Sequence, residues 1–220
     1  MAGPPDCVVF DCDGLLLDTE SAWTRAEVVL YRRHGAEFGL AHKQELIGTA
    51  GPISQAIVER HLGLPGRGEQ LAAELFELVM TELERGAPPQ PGAVELVAEL
   101  RARGTPVGLA SNSPREFVER ALAVSGMAGA FDSVLTGGEV ASPKPAPDVY
   151  LESCARLGAD PGRSVALEDS PTGVASAVAA GMLVIGVPSL EGVDLSDAPI
   201  VAPSLRDAAV RRAVGLALAA

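Results

Sequence analysis

Short apolar runs, nearly unbroken by polar residues, recur along the chain at 7–11, 106–111, 133–137, 164–169 and 183–187, with a shorter one at 199–203. Runs of this length without alternation suit strands buried on both faces, as in a parallel sheet. Between them the apolar positions recur at helical spacing, over 92–104, 113–126, 146–158 and 172–182. The first of these closes on Arg101, Arg103 and Gly104, a good helix C-terminus. The second opens on Ser113, Pro114 and Glu116, which match a capping box with proline in the first turn. Alternating strand and helix predicts an α/β fold, a Rossmann-like doubly wound parallel sheet.

Residues 20–89 break the rhythm. No strand pattern occurs there; helical patterns cover 21–34, 41–47, 52–62 and 69–86, separated by "GLPGRG" and followed by "GAPPQPG". The expectation is a helical insertion between the first strand and the rest of the sheet, with "APPQPG" as the return linker.

Composition narrows the partners. The 220 residues are 47% hydrophobic but only 4% aromatic, so the core is aliphatic. A net charge of −12 argues against nucleic acid and against an anionic membrane surface. It permits a small phosphorylated substrate if a metal or one lysine supplies local positive charge. Cys7, Cys12 and Cys154 form no CxxC pair and fit small buried positions in a reducing cytosol. No basic leader or apolar stretch of about 20 residues is present, so a cytoplasmic protein is expected, a monomer or weak dimer. His34, His42 and His61 lack metal-ligand spacing and are expected at the surface or in packing.

Ligands in open α/β sheets bind at the C-terminal ends of the strands. The first apolar run is followed by Asp11 and Asp13, the second by Ser111, Asn112 and Ser113, the fourth by Glu168, Asp169 and Ser170. The third leads to a loop with Lys144 between Pro143 and Pro145. Each has an ordinary use alone: a turn serine, a solvated lysine, a helix-capping acid. Together, at successive strand ends, they describe a site. Asp11 and Asp13, two apart on an extended chain, address the same space, and Gly14 lets the chain turn behind them. Crowded carboxylates raise one another's pKa unless a hard cation such as Mg²⁺ joins them. Asp11 and Asp169 are the expected ligands, with Glu168 beside them and Asp13 contributing its carbonyl. One carboxylate by the metal, Asp11, can attack phosphorus, and Asp13 can act as acid and base. As an acid Asp13 would need a pKa above its reference of about 3.9. Ser111 and nearby N–H groups would bind the transferring oxygens, and Lys144 would offset their charge.

"DCDGLLLDTE", Ser111 in "LASNS", Lys144 in "SPKPAPDVY" and "ALEDSPTGVASAVAAGM" together resemble, in order, the motifs of the haloacid dehalogenase superfamily of phosphotransferases. The resemblance covers residues 6–188. It implies an Asp11 nucleophile, an Asp13 acid/base, Mg²⁺, a core formed by 1–18 and 89–220, and a mobile helical cap over 19–88 that selects the substrate. Thr19 and Glu20 would stand at the hinge side, with phosphate or substrate contacts from Thr19, Glu20, Trp23 and Asn112. The dehalogenase branch is disfavoured, because Asp13, Glu168 and Asp169 supply acid/base and metal functions that halide chemistry does not need. Within the superfamily the chain resembles the β-phosphoglucomutase-like subgroup. Mutases there carry histidine where this chain has Trp23, and arginine soon after the position of Gly48; both are missing. The stretch from Gly14 to Glu27 is instead similar to bacterial hexose-phosphate phosphatases. The expected activity is a Mg²⁺-dependent phosphatase of a small phosphorylated metabolite, a sugar phosphate. The rivals are a sugar phosphomutase and a non-catalytic phosphometabolite sensor. An EF-hand is a poor fit, since Leu15 stands where an oxygen ligand is needed.

Overall fold

The computed structural model describes residues 3–47, 49, 51–190 and 192–217. Gly48, one of the two positions that bear on the mutase comparison, lies outside the described residues.

Strand β1 (Val8–Phe10) is central. It pairs in parallel with β2 (Val107–Ser111) on one side and β4 (Val165–Glu168) on the other. β3 (Ser133–Thr136) adds outside β2, while β5 (Leu183–Gly186) and β6 (Ile200–Val201) continue beyond β4. The order is β3-β2-β1-β4-β5-β6, all parallel, which is the expected doubly wound sheet. Its direction of winding reverses between β1 and β4, the point where such sheets open a ligand crevice.

Val8 and Phe10 pack into one apolar cluster, Cys7 and Val9 into another on the opposite face. β1 therefore buries both faces, which explains its unbroken apolar run. α5 (Ala93–Ala102), α6 (Arg115–Val124) and α9 (Ala208–Ala213) cover the first face. α7 (Asp148–Leu157) and α8 (Pro171–Ala179) cover the second. Complete burial of a side chain such as Phe10 contributes about 1.5–3 kcal/mol.

Four helices lie between β1 and α5: α1 (Glu20–Arg33), α2 (Leu40–Leu46), α3 (Gly51–Leu62) and α4 (Gly68–Leu83). They enclose a small core of Leu30, Tyr31, Leu46, Val58 and Leu71. Their other contacts reach the sheet domain: Ala22, Ala26, Val79 and Leu83 join its larger cluster, and the Trp23 ring packs on Phe117 at 5.1 Å. The outgoing and returning segments run side by side. Leu17 bridges Pro89 antiparallel, Asp18 N–H donates to Pro88 O at 2.9 Å, and Gln90 N–H donates to Leu16 O at 2.9 Å.

One local expectation changes. α6 begins at Arg115 with Pro114 in the cap position and no side-chain cap, because the Ser113 hydroxyl is turned to Asp13 instead. His61 takes the packing role of the two expected for it: its side chain is 8% exposed, bonds to Tyr31 Oη at 2.7 Å and packs on His42. The three cysteines are free and buried. Among the described residues no helix is long and apolar enough to cross a membrane.

Candidate active site

β1 and β4 deliver the acidic groups. Asp11 N–H donates to Leu167 O at 3.0 Å, so Asp11 extends the pairing of the two strands past the end of β1. Glu168 ends β4, and Asp169 follows it. Lys144 arrives from the loop after β3. Its ammonium donates to Asp11 Oδ1 at 2.6 Å, to Glu168 Oε1 at 2.6 Å and to Ala110 O at 2.9 Å, which uses all three protons. Asn112 fixes that loop with a reciprocal pair to the Lys144 backbone, at 3.1 and 3.0 Å.

Carboxylate oxygens of Asp11, Glu168 and Asp169 lie within 4.8 Å of one another. All three residues are buried. Glu168 is held most firmly. Its Oε1 also accepts from Tyr150 Oη at 2.6 Å, and its Oε2 faces the Asp169 and Ser170 N–H groups and the Ser170 hydroxyl, at 3.1, 3.4 and 3.2 Å. This places the carboxylate against the first turn of α8, the positive end of that helix. The approach is close enough that a Cβ on Gly173 would lie 1.9 Å from Oε1. Asp169 Oδ2 accepts from Ser189 Oγ at 2.6 Å. A Cβ on Gly14 would lie 2.2 Å from that same oxygen, and Gly14 has φ +83°, so glycine is required there twice over.

Three carboxylates stand together, and the one ammonium touches two of them, Asp11 and Glu168. Burial pushes the Asp11 carboxyl well above the ordinary range; Lys144 opposes this, and Glu168 and Asp13 add to it. Burial also raises Asp169, followed by the charges of Asp11 and Glu168. Burial would lower Lys144, but Asp11 and Glu168 outweigh it and keep the ammonium charged. Among the described residues, the hydrogen bonds of Asp11 use only Oδ1 and those of Asp169 only Oδ2. Two hard oxygen donors, disfavoured as bare anions and each with an oxygen to spare, fit a divalent cation.

Asp13 forms a separate unit. Its Oδ1 accepts from Thr19 Oγ1 at 2.7 Å, and its Oδ2 from Ser111 Oγ and Ser113 Oγ, each at 2.9 Å. The Asp13 carboxylate therefore does not join the metal-type cluster, since three hydroxyls hold it aside; the metal contact expected of Asp13 was its backbone carbonyl. Ser111 and Thr19 are both fully buried, and their hydroxyls donate to Asp13 and so position that carboxylate.

The site opens on a cavity of about 520 Å³. Asp11, Asp13, Lys144 and Asp169 line one side; Trp23, Phe76 and other residues of the helical insertion line the other. Glu20 reaches this cavity and is ion-paired with Lys43 at 2.6 Å. Sequence reasoning placed Ser113 at the strand end but gave it only the role of a helix cap, and it missed Ser189, Tyr150 and Gly173. Ser189 had a signal, since it follows the fifth apolar run.

A family model described as haloacid dehalogenase-like hydrolase matches residues 5–181. The chain belongs to this family. Hexitol phosphatase B of Escherichia coli (strain K12) is 34% identical over 187 residues, covering 83% of each chain. A probable pseudouridine-5'-phosphatase of Drosophila melanogaster is 37% identical over 209 residues, 90% of this chain and 89% of that one. The crystal structure of CbbY from Rhodobacter sphaeroides in complex with phosphate superposes with a TM-score of 0.79 at 26% identity, covering 91% and 94%. This chain is thus a hydrolase of the haloacid dehalogenase-like family, and its buried acidic cluster stands at the sheet's switch point.

Proposed function

We propose that this hydrolase is a Mg²⁺-dependent phosphatase of a small phosphorylated metabolite, a sugar phosphate, working through an aspartyl-phosphate on Asp11. The observation that carries the reading is one cavity lined both by the Lys144-bridged acidic cluster and by an Asp13 held apart on three hydroxyls. The two relatives named as phosphatases support it, as does the phosphate held by the CbbY structure. Residues 19–88 act as the cap over this site.

Asp11 and Asp169 would hold Mg²⁺, with Glu168 beside them; when bound, the ion supplies positive charge against the phosphoryl oxygens. The remaining steps use the chain's own groups. A carboxylate oxygen of Asp11 attacks phosphorus, and the bond to the ester oxygen breaks. Asp13 gives its proton to that leaving oxygen, so an alcohol departs. It then takes a proton from water, which attacks the aspartyl-phosphate, and phosphate leaves with Asp11 restored. Lys144, bonded to Asp11 Oδ1, opposes the charge that builds up during both transfers. Trp23, in place of the mutase histidine, favours phosphatase over phosphomutase.

The test is release of inorganic phosphate from a broad panel of phosphorylated metabolites with Mg²⁺ present. Asp11→Asn is expected to abolish turnover while leaving the circular dichroism spectrum unchanged. No release from any ester, or full turnover by Asp11→Asn, would overturn the proposal.

A further inference from the structure

The helical wall of the cavity is largely apolar, with Leu46, Val58, Leu71 and Leu75 among its residues, yet it carries one group of charges. Lys43 of α2 meets Glu20 and Glu27 of α1: its Nζ lies 2.6 Å from Glu20 Oε2 and 3.1 Å from Glu27 Oε2. Lys43 is 7% exposed and Glu27 4%, and all three residues line the cavity. Withdrawing three ionised groups from water costs more than an apolar wall would, and their mutual attraction rarely exceeds that cost. The insertion's own core of Leu30, Tyr31, Leu46, Val58 and Leu71 is built without them.

The trio is also unbalanced. Two carboxylates face one ammonium, so its formal charge is −1. Glu20 Oε2 meets Nζ at 2.6 Å, and among the described residues no further donor reaches it. Its surplus is therefore in acceptors, and it complements a ligand that brings donors. Carboxylates and hydroxyls form short, charge-assisted hydrogen bonds. A phosphate anchored at Lys144 and Asp11 leaves the rest of the ester to project across the cavity toward α1 and α2.

We propose that Glu20, Glu27 and Lys43 read the alcohol part of the substrate: they bind the hydroxyls of an uncharged polyol or sugar, and their net negative charge rejects esters with a second phosphate. This rests on the phosphatase reading above and narrows it to polyhydroxylated monophosphates.

The test measures kcat/KM with Mg²⁺ on a hexitol 6-phosphate, a hexose 1,6-bisphosphate and para-nitrophenyl phosphate, for the wild type, Glu27→Gln and Glu20→Gln. The wild type is expected to prefer the hexitol monophosphate to the bisphosphate by about tenfold or more. Glu27→Gln should lower the ratio of hexitol phosphate to nitrophenyl phosphate by about tenfold, the loss of a charged hydrogen bond. Glu20→Gln brings the trio from −1 to zero and should narrow the gap to the bisphosphate. Any general loss of folded enzyme cancels in these ratios. If Glu27→Gln does not fold, Glu20→Gln, whose side chain is the more exposed of the two at 19% against 5%, carries the test. Ratios unchanged by substitution, or equal wild-type turnover of bisphosphate and monophosphate, overturn the proposal and leave the phosphatase reading standing. No phosphate from any of the three esters overturns that reading, and the proposal with it.

Discussion

Gly173 is the third residue of α8, and its backbone is helical. Helix propensity alone predicts that Gly173→Ala stabilises the protein by up to about 1 kcal/mol. The site reverses the sign. The new methyl would stand 1.9 Å from Glu168 Oε1, 2.0 Å from the carboxyl carbon and 2.1 Å from Oε2. Ordinary contact distances are about 3.5–4 Å, so the carboxylate must leave. It cannot leave freely: Lys144, Tyr150, the Asp169 and Ser170 N–H groups and the Ser170 hydroxyl all hold it. Breaking a buried ion pair of this kind costs about 3–5 kcal/mol. Set against the propensity gain, the net loss is about 2–4 kcal/mol. Urea unfolding followed by circular dichroism in EDTA measures it without added stabilisation from metal. A Gly173→Ala protein as stable as the wild type, or more stable, would refute the claim that Glu168 is fixed on the first turn of α8.

The metal-free protein should become more stable as pH falls. Asp11 and Asp169 are raised above their ordinary 3.8 chiefly by burial, so the folded state binds protons more readily than the unfolded state. That contribution is full below 3.8 and is lost as pH rises through the raised values. Thermal melts in EDTA over a pH series should show Tm rising as pH falls through the raised values toward 3.8, and a flat profile would count against the shifts. Mg²⁺ at 100 times its Kd should add about 2.7 kcal/mol and weaken the slope. Ser113→Ala removes one of three hydroxyls on Asp13, and kcat should fall about tenfold with KM little changed and about 1 kcal/mol lost in unfolding. Wild-type kcat in that variant would remove Ser113 from the positioning of Asp13.

Much of the fold was legible because the inner strands β1, β2 and β4 are short, buried on both faces and followed at once by polar residues. Asp11 and Glu168 could be picked out by that rule, since parallel strands align their C-terminal ends, while Lys144 stood out only through its proline-flanked loop after the third run. Hydroxyl partners were harder. Ser113 sits in a pattern that also describes a helix cap, and only the three-dimensional position of Asp13 decides between the two uses. Tyr150 reads as one more core residue of α7, because nothing local distinguishes a buried ring from one whose hydroxyl reaches Glu168. The Lys43 pairings with Glu20 and Glu27 join residues of different helices, which periodicity within a helix does not relate. The reading of the sequence already set Asp169 at the metal and Asp13 to acid and base; what it did not contain is the set of three hydroxyls that hold Asp13.

The pairing of Leu17 with Pro89 has a consequence for how such a chain can change over generations. The two ends of the helical insertion meet at neighbouring-strand distance, about 5 Å. To the folding sheet, the connection from β1 to α5 therefore costs no more to close than a tight turn, and the helices bring their own closure through their own core. Any folded unit whose termini meet at that spacing could be spliced in, and a turn of two or three residues could replace it, without disturbing β1 or the groups at its tip. The acidic cluster at the sheet and the helical wall of the cavity are thus separable parts, joined through a gap one strand wide.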